Sequence, residues 1–194
     1  YIKQIEHSDF KVFDSVLKSL PSHTNLQLGN SSAIRYTQLF DVNKTVSVFC
    51  NRGTSGIDGS TSTAIGCAIA NKNQTILITG DLSFFYDSNA LWNNYIPNNF
   101  RIIVVNNNGG GIFRIIPGAS DSKQLDVYFE AKHKQNAAKI SEAFGWNYQS
   151  IELNANLSDD LTAFFASSKN NDTPELIEIF TDAKQNAADL SLFT

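Results

Sequence analysis

The chain has 194 residues, 42% of them hydrophobic and 18% charged, with a net charge of -4. That length and balance suit one globular domain with a sizeable core and exclude a disordered tail. The longest basic stretch is Lys132-His133-Lys134, so nothing favours a nucleic-acid partner and none is expected, and no apolar run is long enough to span a membrane.

Apolar periods alternate between helix-like and strand-like along the chain. Ser8 can cap a helix running to about Leu20, with Phe10, Phe13, Val16, Leu17 and Leu20 on one face, and Pro21 ends it. Thr24 to Leu28 reads as a strand, Ala33 to Phe40 as a helix, and the β-branched, alternating stretch Thr45 to Cys50 as a strand. A glycine-rich loop from Asn51 to Gly59 leads into a small-residue helix, Ser60 to Ala70. Thr75 to Thr79 is a buried strand ending in Gly80-Asp81, and a helical stretch lies between Ser83 and Tyr95. Arg101 to Val105 is a second buried strand, running into the Asn/Gly stretch Asn106 to Gly111. The pattern loosens from Pro117 to about Lys134. Asn136 to Phe144 then reads as a helix stopped by Gly145, Tyr148 to Leu153 as a strand, and Leu157 to Ser168 as a helix. Glu175 to Phe180 is a strand and Ala183 to Leu190 a last helix. The expected fold is therefore α/β: a single domain with a mostly parallel sheet of about six strands and helices on both faces.

Methionine is absent and the first residue is Tyr1, so a processed protein or a stretch from inside a longer chain is expected. No signal-peptide pattern is visible. Cys50 and Cys67 sit in apolar segments and read as buried free thiols, which fits a cytoplasmic location. His7, His23 and His133 are far apart, lack ligand spacing, and are assigned no metal.

Ligands of open parallel sheets sit beyond the carboxyl ends of the strands. Three such junctions stand out: Asn51 to Gly59, Gly80 to Ser83, and Asn106 to Gly111. Asp81 and Asn107 end successive buried strands, so their side chains should meet at one edge. A carboxylate, an amide oxygen and bare backbone carbonyls are hard donors of the kind magnesium takes, alongside outside oxygens from water or phosphate. Ser83 sits at a helix start, where N–H groups attract an anion. Taken singly, Gly-Asp at a strand end or an Asn/Gly run is an ordinary turn; it is the joint pattern that points to a site.

Gly80-Asp81 followed at some distance by Asn106-Asn107 resembles the cofactor motif of thiamine-diphosphate enzymes. That resemblance implies magnesium (or manganese) on Asp81, Asn107 and the carbonyl of Gly109. Leu82, where the broad family has a small residue, departs from the pattern. The longer strings Asn51 to Gly59, Gly80 to Leu91 and Asn106 to Phe113 are similar to the menaquinone-pathway synthases of the MenD family, in which Leu82 is regular. This resemblance runs from about Leu28 to Pro117 and implies the thiamine-diphosphate-binding fold for residues 1–194, as the C-terminal, pyrophosphate-binding domain. Such transferases decarboxylate 2-oxoglutarate and add the remaining unit to isochorismate. By the same resemblance, Ile57 props the folded cofactor, Ser55 lies near its aminopyrimidine, Gly56 is among the cofactor-binding residues, and Leu82 and Ser83 lie beside its diphosphate. Ser31, Arg35 and Arg52 would bind the succinyl carboxylate; Ile112, Phe113 and Ile116 would wall the reacting centre. Arg101 and the pair Phe84-Phe85 read as structural, and Arg114 is left open.

The family also needs a glutamate acting on the aminopyrimidine. None of Glu6, Glu130, Glu142, Glu152, Glu175 or Glu178 lies in a matching context. No catalytic residue is therefore expected in this chain. The glutamate is expected on a pyrimidine-binding domain, of a second subunit in a homo-oligomer, docked on an exposed apolar surface, and the chain alone is expected to be inactive. Two alternatives stay open: a domain of another thiamine-dependent 2-oxoacid decarboxylase or synthase, and a non-catalytic phosphate- or nucleotide-binding module.

Overall fold

The computed structural model describes residues 8–151, 153, 156–166 and 173–193. Six strands form one sheet in the order β2-β1-β3-β4-β6-β5, and every neighbouring pair is parallel. They are β1 (Asn25–Leu28), β2 (Ser47–Cys50), β3 (Thr75–Gly80), β4 (Phe100–Asn106), β5 (Asn147–Ile151) and β6 (Glu175–Phe180). The helices are α1 (Asp9–Ser19), α2 (Ser32–Thr37), α3 (Ser60–Ala70), α4 (Asp81–Tyr86), α5 (Ala138–Ala143), α6 (Leu157–Ala166) and α7 (Ala183–Phe193). The α/β fold with helices on both faces is the one expected from the alternation of periods.

Strand side chains alternate between two cores, as the two-residue period of a strand requires. Leu26, Leu28, Ile76, Ile78, Ile103, Val105, Ile177 and Ile179 pack beneath α1, α2 and α6, where Phe13 stacks on Tyr36 with ring centroids 5.4 Å apart. Leu77, Ile102, Val104 and Leu176 pack beneath α3, α4 and α5. The small residues Ala64 and Ala68 let α3 lie close over the sheet.

The chain departs from the sequence reading where tertiary contacts overrule local pattern. Ser8 stands before α1 but makes no side-chain capping bond, and its hydroxyl is buried without a partner. The helical stretch expected between Ser83 and Tyr95 is two pieces, α4 and a 3-10 segment from Ser88 to Trp92. Asp87 marks the break, and its carboxylate takes the Ser62 N–H at 2.7 Å and the Ser62 hydroxyl at 2.8 Å. The loose region contains one π-type turn, Leu125–Phe129. Both cysteines are free, but half-buried rather than buried: Cys50 lies on β2, an edge strand exposed along most of its length, and Cys67 on α3. The end of the expected helix at residues 167 and 168 lies outside the described residues.

Arg101 and Glu178 are buried and engaged with partners. Arg101 is fully buried, donates to the carbonyls of Asn98 at 2.8 Å and Phe100 at 3.0 Å, and faces Glu175 at 3.4 Å, a structural role as expected. Glu178, fully buried on β6, accepts from Asn106 Nδ2 at 2.7 Å, the Ala137 N–H at 2.9 Å and the Tyr148 hydroxyl at 2.8 Å. It thereby joins β6, α5 and the end of β4. Glu178→Ala removes the acceptor of three hydrogen bonds, two of them buried, and a buried donor group left unpaired costs on the order of 1–3 kcal/mol. A stability loss of roughly 3 kcal/mol is expected by urea denaturation; a loss within error of zero would contradict the role given to Glu178.

Candidate functional site

The strand order reverses between β1 and β3. β1 connects outward to β2, while α3 carries the chain back across β1 to β3. A crevice opens at such a switch point, beyond the carboxyl ends of the strands. A cavity of about 480 Å³ lies there, within the range of roughly 300–1,000 Å³ usual for small-ligand pockets. Register places the site groups. Leu28 pairs with Ile78 and Gly80 with Val105, so Asn30, Asp81 and Asn107 all lie just past the paired ends of adjacent strands.

The expected positions Ser31, Arg35, Arg52, Ser55, Ile57, Asp81, Leu82, Ser83, Asn107, Gly109, Ile112, Phe113 and Ile116 all line this cavity. Gly56 is not among the lining residues, and its carbonyl is turned onto Asn30 Nδ2 at 2.6 Å. Ile112 is buried in a short 3-10 segment, Gly111–Arg114, and Phe113 lies against Phe129 with centroids 5.4 Å apart. Ser83 donates to the Ile57 carbonyl at 2.5 Å, which ties the glycine-rich loop to α4. Phe84 is core, while Phe85 turns its edge to His133.

Asp81 is buried, and its carboxyl is raised above the usual range by that burial, with the Leu82 N–H and His133 acting in the opposite direction. Its Oδ1 accepts the Leu82 N–H at 2.7 Å; its Oδ2 accepts the Gly109 N–H at 2.9 Å and lies 3.1 Å from His133 Nε2. The Asn107 Oδ1 atom is buried in the same region without a hydrogen-bond partner. The turn that follows has Asn108 at φ 63 and Gly109 at φ 149. A Cβ at Gly109 would also stand 2.4 Å from the Glu130 carbonyl, so only glycine fits there. Among the described residues no three His, Cys, Asp or Glu side chains cluster as a metal site. A cation at this edge would depend on amide and carbonyl oxygen as well as carboxylate, a hard set that suits magnesium or manganese.

Charge is distributed unevenly around the cavity. Arg101 and Arg114 are ion-paired, Arg114 with both Glu130 and Asp126. Arg35 and Arg52, at the cavity, have no carboxylate within ion-pair distance among the described residues; they donate instead to the Ser31 carbonyl and to Asn30 Oδ1, each at 2.9 Å. None of Glu130, Glu142, Glu175 and Glu178 lines the cavity; Glu6 and Glu152 lie outside the described residues.

The structure adds groups that the sequence reading did not assign. Asp9, at the start of α1, lines the cavity, and burial pushes its carboxyl up to about 6 against hydrogen bonds from Thr181 and Asn186. An acidic residue in a first turn reads locally as a dipole partner, which hides such a role. Asn30 and His133 were equally inconspicuous: the first is one polar residue in a turn, the second reaches Asp81 across 52 residues.

Residues 29–179 match the family described as thiamine pyrophosphate enzyme, C-terminal TPP binding domain. The chain belongs to this family. It is 50% identical over 186 residues to a 2-succinyl-5-enolpyruvyl-6-hydroxy-3-cyclohexene-1-carboxylate synthase of Flavobacterium psychrophilum, covering 96% of this chain and 33% of that protein. The synthase of the same name from Bacteroides fragilis is 42% identical over 184 residues, again 33% of its length. The chain thus spans about a third of these relatives. A solved structure, the Rhodococcus jostii RHA1 thiamine diphosphate-dependent 4-hydroxybenzoylformate decarboxylase, superposes with a TM-score of 0.69 at 24% identity, over 92% of this chain and 33% of its own, and shares the fold.

In this TPP-binding domain a Cβ at Gly111 would stand 2.9 Å from Asn107 Nδ2. Gly111→Val should therefore turn the Asn107 amide. Affinity for manganese in the presence of thiamine diphosphate, read by electron paramagnetic resonance, is expected to fall at least about tenfold, or ~1.4 kcal/mol. Unchanged affinity would dissociate Asn107 from the cation.

Proposed function

We propose that the chain is the diphosphate- and metal-binding domain of a cytoplasmic menaquinone-pathway synthase, a transferase that decarboxylates 2-oxoglutarate and adds the remaining four-carbon unit to isochorismate. The observation that carries this reading is the pair of cavity arginines, Arg35 and Arg52, free of carboxylate partners among the described residues while the other two arginines are ion-paired. An unpaired guanidinium at a cavity suits an anionic ligand, which it can grip with paired hydrogen bonds. A thiamine-dependent enzyme for uncharged 2-oxoacid chains would not need two such groups. A plain phosphate-binding module would not need the Asp81 and Asn107 oxygens.

The residues take the following parts. Asp81, Asn107 and the Gly109 carbonyl would hold magnesium or manganese; the partnerless Asn107 Oδ1 is the group whose burial such a cation would offset. The His133 ring, 3.1 Å from Asp81 Oδ2, would share the carboxylate with the cation. Leu82 and Ser83 border the diphosphate, and Ser55 and Ile57 border the aminopyrimidine end. Thiamine diphosphate, when bound, supplies the electron sink for loss of carbon dioxide from a 2-oxoacid. Ser31, Arg35 and Arg52 bind the distal carboxylate, and Ile112, Phe113 and Ile116 exclude water from the reacting centre.

The proton-transferring glutamate would come from a pyrimidine-binding domain, on a second subunit of a homo-oligomer. Two features support a docking partner: none of the glutamates of the described residues lines the cavity, and edge strand β2 exposes Val48 and Phe49 at 42% and 50%.

Arg52→Ala in the full-length synthase is expected to lower kcat/KM for 2-oxoglutarate about 10–100-fold, the ~1.5–3 kcal/mol of a hydrogen bond to a charged group. Unchanged 2-oxoglutarate kinetics would favour the other thiamine-dependent enzymes. The chain alone is expected to give no turnover of 2-oxoglutarate with isochorismate in a coupled assay; measurable synthase activity would contradict the division of the site between domains.

A further inference from the structure

Asn30 occupies the carboxyl end of β1, 2% exposed, at the rim of the cavity. Its amide is used at both ends. Nδ2 donates to the Asn51 carbonyl at 2.7 Å and to the Gly56 carbonyl at 2.6 Å. Oδ1 accepts from Arg52 Nη1 at 2.9 Å and from the Cys50 thiol at 3.4 Å. A side-chain amide offers two N–H groups and two lone pairs, and here all four are engaged.

The loop from Asn51 to Gly59 needs such an anchor. It has no regular secondary structure, most of it is exposed, and it contains left-handed Ser55 at φ 58 and Gly59 at φ 73. Other ties hold it to α3 and α4: Asn51 Nδ2 to Thr63 at 2.9 Å, the Thr63 hydroxyl to the Gly59 carbonyl at 2.8 Å, and Ser83 to the Ile57 carbonyl at 2.5 Å. Asn30 is the tie from β1. Its depth is set by Gly29, where a Cβ would stand 2.7 Å from Thr79 Oγ1 and 3.2 Å from Thr79 Cα. β1 can therefore approach β3 closely only with glycine at that position.

The choice of an amide has a chemical consequence. A neutral oxygen orients the guanidinium without neutralising it, so the full charge of Arg52 stays available to an incoming carboxylate. An aspartate at the same place would pair with Arg52 and compete with substrate. It would also set a carboxylate against the Asn51 and Gly56 carbonyls, with no donor for either.

We propose that Asn30 is a positioning residue that directs the Arg52 guanidinium toward the distal carboxylate of the 2-oxoacid while leaving its charge free. This rests on the reading of Arg52 as a carboxylate-binding residue.

The test is steady-state kinetics of the full-length synthase at saturating thiamine diphosphate and magnesium, for N30A, N30D, R52A and N30A/R52A, with folding checked by thermal melting. N30A and the near-isosteric N30D are each expected to raise KM for 2-oxoglutarate at least tenfold, with kcat and the KM for isochorismate changing less than about threefold. The double variant is expected within about threefold of R52A, since both substitutions remove one interaction. An R52A defect with N30A and N30D at wild-type KM overturns the role of Asn30 alone. Equal losses toward both substrates, or fully additive effects in the double variant, reduce Asn30 to a structural residue and overturn it too. If R52A itself leaves the KM for 2-oxoglutarate unchanged, the carboxylate reading fails first and takes this proposal with it.

Discussion

Everything at this site depends on parallel strand pairing that brings the carboxyl ends of β1, β3 and β4 to one edge. Strands in a sheet lie about 4.8 Å apart, so residues just beyond their paired ends are forced into one small volume whatever their separation in sequence. Asn30, Asp81 and Asn107 are such residues, and the reversal of strand order between β1 and β3 opens the space they share. Buried apolar side chains on both faces hold the strands in that register, so the two cores are the remote support of the site.

Polar chemistry then works against a common background of burial. Asp81 is taken out of water, which raises its carboxyl; the nearby N–H groups and the His133 ring offset part of that cost. Asn107 Oδ1 has no such compensation within the described residues. An acceptor left buried and unpaired is costly in any protein, and it is tolerated where a ligand completes it. The guanidinium groups of Arg35 and Arg52 carry the complementary signature, charge held among the described residues by neutral oxygens.

Most of the fold could be read from the chain because its signals are local. The β-branched run of β4, the small-residue periodicity of α3 and the left-handed Gly145 after α5 each follow from a few consecutive residues. What escaped was decided at a distance. α4 ends where Asp87 turns to Ser62 on another helix, and the Ser8 hydroxyl is not used as a cap. Cys50 lies in an apolar run that looks buried, yet its strand closes the sheet edge. The expected site positions share one cavity, apart from Gly56, whose backbone serves Asn30 instead. Asp9, Asn30 and His133 join them through contacts that no window of sequence contains. The thiamine-enzyme resemblance pointed to residues that line the cavity; it could not carry the supporting hydrogen bonds, which depend on coordinates.

The convergence of Asp81 and Asn107 on one divalent cation is the claim from which the metal, the diphosphate and the reaction class all follow. Its most direct test is a crystal of the full-length protein grown with thiamine diphosphate and manganese, with the metal located by anomalous scattering. One manganese bonded directly to an Asp81 carboxylate oxygen and to Asn107 Oδ1 is the result this account predicts. A manganese bound elsewhere, with the Asp81 carboxylate still held by His133 and Gly109 and the Asn107 amide oxygen still bare, would contradict it.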